Sequence, residues 1–237
     1  MKNWLTHLLW WLYGYTYDGL LRFWPYTHLL KLVVDYLEPK TGERILELGC
    51  GTGNVLVRVL ETPATEVVGI DLSSSMLGMA RRKLKRAGYA SRSSLNEGDL
   101  LAWLKEQPSA SFDAGVSVNV IYAINDQATL WREVHRVIKP DGRFVATTSV
   151  RPGSKVIIDE QLANDRWWRL LTPRLLGVFI IDAVINLLGH SGTFAFHDEA
   201  ALKKEVATNG GTWDDRGYCY GGPEVGVNIL FRVTITT

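Results

Sequence analysis

Arg44-Ile45-Leu46-Glu47-Leu48-Gly49-Cys50-Gly51-Thr52-Gly53-Asn54 decides how the chain is to be read. Its first residues carry the aliphatic and β-branched side chains of a short strand. Three glycines follow at alternate positions, and Val55 to Leu60 reads as the opening of a helix. Glycine lets the chain turn sharply and, with no Cβ, lets a ligand lie against the backbone. The amides that open the next helix point at that ligand. Turns of this kind serve many nucleotides, so the loop alone selects none of them.

Glu66-Val67-Val68-Gly69-Ile70-Asp71 is a second strand, and it ends in a carboxylate 22 residues after Gly49. At about that distance a doubly wound fold holds the hydroxyls of a ribose. The NAD fingerprint needs one more glycine three places after the second, where this chain has Asn54. The pattern present is G-x-G-x-G with Glu47 ahead of it. It resembles the first motif of the class I S-adenosylmethionine-dependent methyltransferases. The resemblance implies S-adenosylmethionine as cofactor. It also implies an α/β, Rossmann-like, doubly wound seven-stranded sheet whose last strand is antiparallel.

Further residues extend the resemblance. Gly49, Cys50, Gly51 and Gly53 would form the cofactor loop with Glu47, and Asp71 would take the ribose with Leu72 beside it. Ser73 is a helix N-cap. Met76, inside that helix, resembles the position that slides beneath the adenine, and it also fits as core filler. Asn96-Glu97-Gly98-Asp99-Leu100 follows a serine-rich turn; Asp99 there either accepts from the adenine amino group, as in the family, or caps the next helix. Phe112 to Asn119 is the fourth strand, running on to Ile124, and it resembles the family strand whose end faces the sulfonium. Ligands of open α/β sheets sit at strand carboxyl ends, so Ser117 to Tyr122 should border the reaction centre, with Ser117 and Asn119 in the cofactor set. Tyr122 stands where many relatives carry histidine, which removes the most obvious general base. The helix 127–138, stopped by Lys139-Pro140-Asp141-Gly142 before a strand at Phe144 to Ser149, is a further sign of this methyltransferase group.

Tyr17-Asp18 ahead of the core is similar to a Tyr-Asp in methyltransferases of the ubiquinone/menaquinone and phosphatidylethanolamine types. There the tyrosine closes over the cofactor; packing into a lid is the other account of Tyr17. A helix from His28 to Leu37 then leads to the glycine loop. Of nine tryptophans, Trp4, Trp10, Trp11 and Trp24 crowd the N-terminus, and Trp167 and Trp168 sit together later. Trp4, Leu8, Trp11, Leu12 and Tyr15 fall on one helical face. The uncharged run is about 15 residues, short of the ~20 that span a bilayer. It is either a helix over a substrate pocket or a segment in a membrane interface. The expected division is an N-terminal aromatic helical cap, 1–39, and a methyltransferase domain, 40–237. Within the latter, 150–195 is an apolar lid in which Asp182 faces either acceptor or solvent. His190, between lid and core, is the histidine to suspect for acceptor chemistry. His135 and His197 read as structural. The run Arg81-Arg82-Lys83-Leu84-Lys85-Arg86 reads as a solvated face whose cations suit a helix C-terminus. A helix over 198–206 and strands at 213–220 and 225–236 close the chain.

The whole chain has 237 residues, a net charge of +1 and two cysteines. It is one ordinary domain, with nothing global to attract nucleic acid and too few cysteines for a zinc site or a disulfide framework. No metal is expected, since the acidic arrangement of magnesium-dependent catechol enzymes is missing. Asn/Asp-Pro-Pro-Tyr/Phe and Pro-Cys, marks of adenine N- and cytosine C5-methyltransferases, are also missing from the fourth strand. The expected location is cytoplasmic, with peripheral membrane contact left open. The aromatic flanks point to a hydrophobic acceptor, giving methyl transfer to a lipophilic or aromatic small molecule at nitrogen or oxygen. The candidate catalytic residues are Tyr122, His190 and Tyr17. Two other readings stand: N-methylation of a phospholipid headgroup at a membrane surface, and a cofactor-binding module without turnover.

Overall fold

Strands β1 (Arg44–Leu48), β2 (Glu66–Asp71), β3 (Ser93–Glu97), β4 (Phe112–Val118), β5 (Ile138–Ser149), β6 (Gly211–Tyr220) and β7 (Asn228–Ile235) form one sheet in the order β3-β2-β1-β4-β5-β7-β6. The structure, a computed structural model, describes residues 18–62, 66–149, 154–167, 199–220 and 226–236. Strands β1 to β5 are parallel. β7 lies between β5 and β6 and runs antiparallel to both. The chain winds outward from β1 to β3, then crosses to β4 on the other side of β1. That crossing is the switch point at which open α/β sheets bind ligands. The expected Rossmann-like sheet with its antiparallel last strand is therefore present.

Helices α1 (Trp24–Leu37), α2 (Asn54–Leu60), α3 (Ser74–Arg86), α4 (Leu100–Glu106), α5 (Gln127–Val137), α6 (Ser154–Asn164) and α7 (Glu199–Thr208) cover the two faces. Parallel strands are buried on both sides, and alternate residues of β1 show it. Ile45 joins a core with Leu30 and Val33 of α1 and Val59 of α2. Leu46 and Leu48 join another with Leu130, Trp131 and Val134 of α5. In that second layer the Trp131 ring meets Phe144 edge-on at 5.8 Å, and its indole N–H donates to Gln127 Oε1 at 3.1 Å. The polar tip of the largest core side chain is thereby satisfied.

Several boundaries differ from expectation, each for a local reason. α1 starts at Trp24 rather than His28, because Pro25 occupies the first turn, where a missing N–H is harmless. The serine-rich stretch is no turn: Ser93–Glu97 pairs with β2 as an edge strand, and its exposed side tolerates polar residues. β4 ends at Val118 and does not run to Ile124. Asn119 takes a left-handed φ of 57°, and Ile121–Ala123 winds into a 3-10 turn. β5 opens at Ile138, directly after α5, with Lys139-Pro140-Asp141-Gly142 looped out of register within it. Phe112 pairs with Ile138 and Ala114 already with Arg143. Arg143 then clasps the end of α1. It meets Glu43 through two 2.7 Å bonds and donates to the carbonyls of Leu37 and Glu38. Burial works against the Glu43 carboxylate, but the Arg143 guanidinium and the Lys40 amide outweigh it and hold its pKa below the usual value.

Candidate functional site

The carboxyl ends of β1, β2 and β4 carry most of the residues singled out from sequence. After Leu48 the chain turns under the edge of β2: the amides of Gly49 and Cys50 both donate to Ile70 O, at 2.8 and 3.1 Å. Gly49 is held at φ 71°, and a Cβ there would come within 2.3 Å of Val120 Cγ2. Only glycine fits both conditions. Gly51, at φ 49°, is different, because a Cβ would meet nothing nearer than Met76 Sδ at 3.7 Å. The loop is tight at its start and open where it crosses toward α3. Gly53 allows close packing of α2 on α3, its notional Cβ lying 3.0 Å from Ala80 Cβ.

Two carboxylates lie behind and beside this loop. Glu47, 2% exposed, receives the backbone N–H of Leu56 from α2, while its Oε2 has no partner among the described residues. Burial, then the nearby Asp71 charge, push its pKa well above the ordinary carboxylate value; the Leu56 amide and the Lys83 charge pull the other way. Asp71 braces the loop itself. Its Oδ2 accepts from Gly51 N–H at 2.8 Å and its Oδ1 from Ser73 N–H at 2.8 Å. Burial raises the Asp71 pKa despite these amides. Among the described residues, no group of three His, Cys, Asp or Glu side chains is arranged to hold a metal.

The other candidates divide by what their side chains already do. Leu72, 43% exposed, and Met76, buried with its sulfur toward Gly51, flank the open part of the loop. Asp99 is exposed and caps α4, Oδ1 accepting from Ala102 N–H at 2.9 Å, and Leu100 packs partly against the α5-side core. Cys50 is buried, with its thiol where a Cβ on Gly69 would have to go. Burial raises its pKa well above a free thiol's, with help from Glu47 and Asp71. Ser117 spends its hydroxyl on Leu48 O at 3.1 Å, tying β4 to β1. The Asn119 carboxamide oxygen accepts from Thr147 Oγ1 at 3.2 Å and Asn228 Nδ2 at 2.6 Å, tying β4 to β5 and β7. Tyr122 is 7% exposed in the turn after β4. Tyr17, His190, Asp182 and His197 lie outside the described residues. His135 is structural, its Nε2 3.1 Å from Thr236 O.

Lys83 was missed, and the solvated reading of its cationic run fails there. It turns inward to Asp18 Oδ1 at 3.0 Å, Thr52 Oγ1 at 3.4 Å and Asn54 Oδ1. The one signal in the sequence was Asp18, a carboxylate closing an apolar stretch and so in need of a cation.

These features fit the cofactor the motif suggests: a cradle open at Gly51, a buried carboxylate oxygen without a partner among the described residues, and a second carboxylate at the end of β2. Comparison with known proteins agrees. A family described as "Methyltransferase domain" matches residues 45–142. Demethylmenaquinone methyltransferase of Symbiobacterium thermophilum is 30% identical over 149 residues, 61% of this chain and 56% of that protein. The match thus spans little more than half the length of that relative. An O-methyltransferase of Pyrenophora dematioidea is 26% identical over 83% of this chain and 70% of its own. Geranyl diphosphate C-methyltransferase from Streptomyces coelicolor A3(2), solved with S-adenosyl-L-homocysteine, shares the fold at a TM-score of 0.63 and 15% identity. The alignment covers 89% of this chain and 79% of that one. Residues 45–142 therefore match a methyltransferase domain, on a fold shared with solved methyltransferases.

Proposed function

We propose that the protein transfers the methyl group of S-adenosylmethionine to a lipophilic or aromatic small molecule, at nitrogen or oxygen. The observation that carries the reading is the pairing of the open glycine cradle with two carboxylates, buried Glu47 and half-buried Asp71, at the switch point. The bound cofactor supplies a methyl carbon on a sulfonium, already activated for in-line displacement. The chain's own work is then alignment and exclusion of water. The main chain of Gly49 to Gly53 gives close approach, Glu47 faces positive charge, and Asp71 takes the ribose while bracing Gly51. Leu72, Met76, Asp99 and Leu100 bound the adenine side, and the strand end at Ser117 and Asn119 closes the cleft toward β5. An acceptor nitrogen or oxygen must lose a proton. Tyr122 is the described candidate for that role or for orienting the acceptor, with Tyr17 and His190 the further candidates.

The apolar flanks support the acceptor class. Leu162 and Trp167, on and just after α6, are 50% and 60% exposed. They lie at the start of the expected lid, where an apolar partner would cover them. Among the described residues no helix is long and apolar enough to cross a membrane.

Methyl-labelled S-adenosylmethionine incubated with the protein and a cell extract, then partitioned between organic and aqueous phases, tests the reading. Label in the organic phase that is lost with Asp71→Ala is the expected result. Label confined to the aqueous phase or to protein would overturn the lipophilic acceptor. A choline-type product in the lipid fraction would favour headgroup methylation.

A further inference from the structure

At the glycine loop five polar side chains meet. Thr52 Oγ1 donates to Asp18 Oδ1 at 2.7 Å, and Lys83 Nζ donates to the same oxygen at 3.0 Å. Lys83 also donates to Asn54 Oδ1, and Asn54 Nδ2 donates to Tyr26 Oη at 3.3 Å. Thr52 and Asn54 are 1% and 6% exposed, and the Lys83 and Asp18 side chains are each 25% exposed. The cluster therefore joins α3, α1 and the turn Asp18–Arg22 through two residues of the loop itself. Asn54 is the residue that stands where a dinucleotide loop has its third glycine, and here it is the hub between Tyr26 and Lys83. Lys85 and Arg86, its neighbours in the cationic run, are exposed.

A glycine-rich loop has little side-chain packing to hold its shape, and each glycine adds conformational freedom that must be suppressed. Asp71 braces Gly51. Thr52 is held by Asp18 and Lys83, and Asn54 by Lys83 and Tyr26; among the described residues Lys83 is the one cation in that cluster. Because it is only partly exposed, its bonds to Asp18 and Asn54 are less diluted by water than those of a surface pair.

We propose that Lys83 is a positioning residue for the cofactor: through Asp18, Thr52 and Asn54 it holds the glycine loop in its binding shape without touching the cofactor. This rests on the reading that the loop is the cofactor site. The role is separate from charge steering, since the exposed cations of the same run carry equal charge without reaching the loop.

The test is calorimetric binding of S-adenosylmethionine and S-adenosylhomocysteine to the full chain, with folding of each variant checked by circular dichroism. Lys83→Met and Asp18→Ala should each weaken both ligands about fivefold to tenfold, the effect of a charge-assisted bond discounted for its partial exposure. The double variant should be no weaker than the worse single one, because the two residues share one interaction. Lys83→Arg should recover most of the affinity, and Lys85→Met should bind within about twofold of the parent. Parental affinity in folded Lys83→Met or Asp18→Ala, additive losses in the double variant, or an equal loss in Lys85→Met would each overturn the proposal. If Lys83→Met does not fold, Asp18→Ala decides alone. Asp71→Ala separates the two levels: parental affinity in that variant would remove the loop as the cofactor site, whatever Lys83 does.

Discussion

Two alanine substitutions two residues apart should have opposite signatures, because the loop is closed at Gly49 and open at Gly51. Both glycines have positive φ, so either alanine carries a left-handed penalty of about 1–2 kcal/mol, partly offset by about 0.4–1 kcal/mol of lost unfolded-state freedom. At Gly51 the added methyl finds only Met76 Sδ at 3.7 Å, an ordinary contact. The ligand-free protein should therefore lose no more than about 1–2 kcal/mol, a Tm drop of roughly 2–8 °C for a chain of this size. At Gly49 the methyl sits 2.3 Å from Val120 Cγ2, and relieving that overlap adds about 1–3 kcal/mol, for a drop of roughly 4–20 °C. Cofactor affinity should order the other way relative to stability. The Gly51 methyl projects into the cradle, and a bad contact of about 1–3 kcal/mol there weakens binding roughly fivefold to 150-fold. Thermal unfolding without ligand, followed by calorimetry with S-adenosylhomocysteine, measures both. A Gly51→Ala protein that binds normally, or that is as unstable as Gly49→Ala, would refute the placement of the cofactor against Gly51.

Glu47→Gln should raise the Tm of the ligand-free protein at neutral pH by about 2–6 °C while weakening cofactor binding. The folded-state pKa of Glu47 is raised, so its stability contribution is intact below the ordinary carboxylate value and is lost as pH rises toward the elevated one; the gain over the parent should fade in acid, and a pH-independent gain would contradict this. Glu43 has the opposite sign. Its pKa is lowered, so what it contributes is present above the ordinary value and disappears as pH falls through the depressed one, a difference visible on comparing acid unfolding of the parent with Glu43→Gln. Arg143→Met strands Glu43 and two carbonyls at the end of α1, and should cost about 3–5 kcal/mol, read as a lowered urea midpoint. Tyr122→Phe should lower methyl transfer more than cofactor affinity, measured by kcat against the calorimetric Kd; equal loss of both would make Tyr122 structural.

The sheet was legible where sequence pattern and burial coincide. β1, β2 and β4 are apolar on both faces because the sheet is covered on both, and the glycine turn between β1 and α2 marks the switch point. β3 was not legible, since Ser93-Ser94-Leu95-Asn96-Glu97 lies at the sheet edge, where a polar strand resembles a turn. The end of β4 was placed correctly as a region and extended too far, because Val120 and Ile121 are as apolar as the strand before them. What ends it is the backbone at Asn119, held by Thr147 and Asn228 from strands far along the chain. Partners at such separation leave no local trace. Lys83 shows the same limit: within its run every cation looks alike, and only the position of Asp18, 65 residues away, distinguishes it.

Glu47 is next to last in β1 and Asp71 ends its neighbour β2, with Glu47 opposite Gly69 in the register and Asp71 two residues beyond. Placing them together weakens the ligand-free fold, since the Asp71 charge opposes that of Glu47 and water is excluded from Glu47. Among the described residues, the Leu56 amide and the Lys83 charge answer the Glu47 carboxylate. A ligand that brings positive charge to this edge relieves that opposition, and the energy recovered appears as affinity. On the proposed reading, the pair selects a cationic cofactor over a neutral nucleoside of similar shape. Lys83 does not stand in for that charge, because its hydrogen bonds go to Asp18, Thr52 and Asn54. The arrangement thus keeps one cation as a fixed brace and leaves the other half of the electrostatic balance to the ligand. Stability sacrificed at Glu47 is in this way converted into binding, which is why Glu47→Gln should gain one as it loses the other.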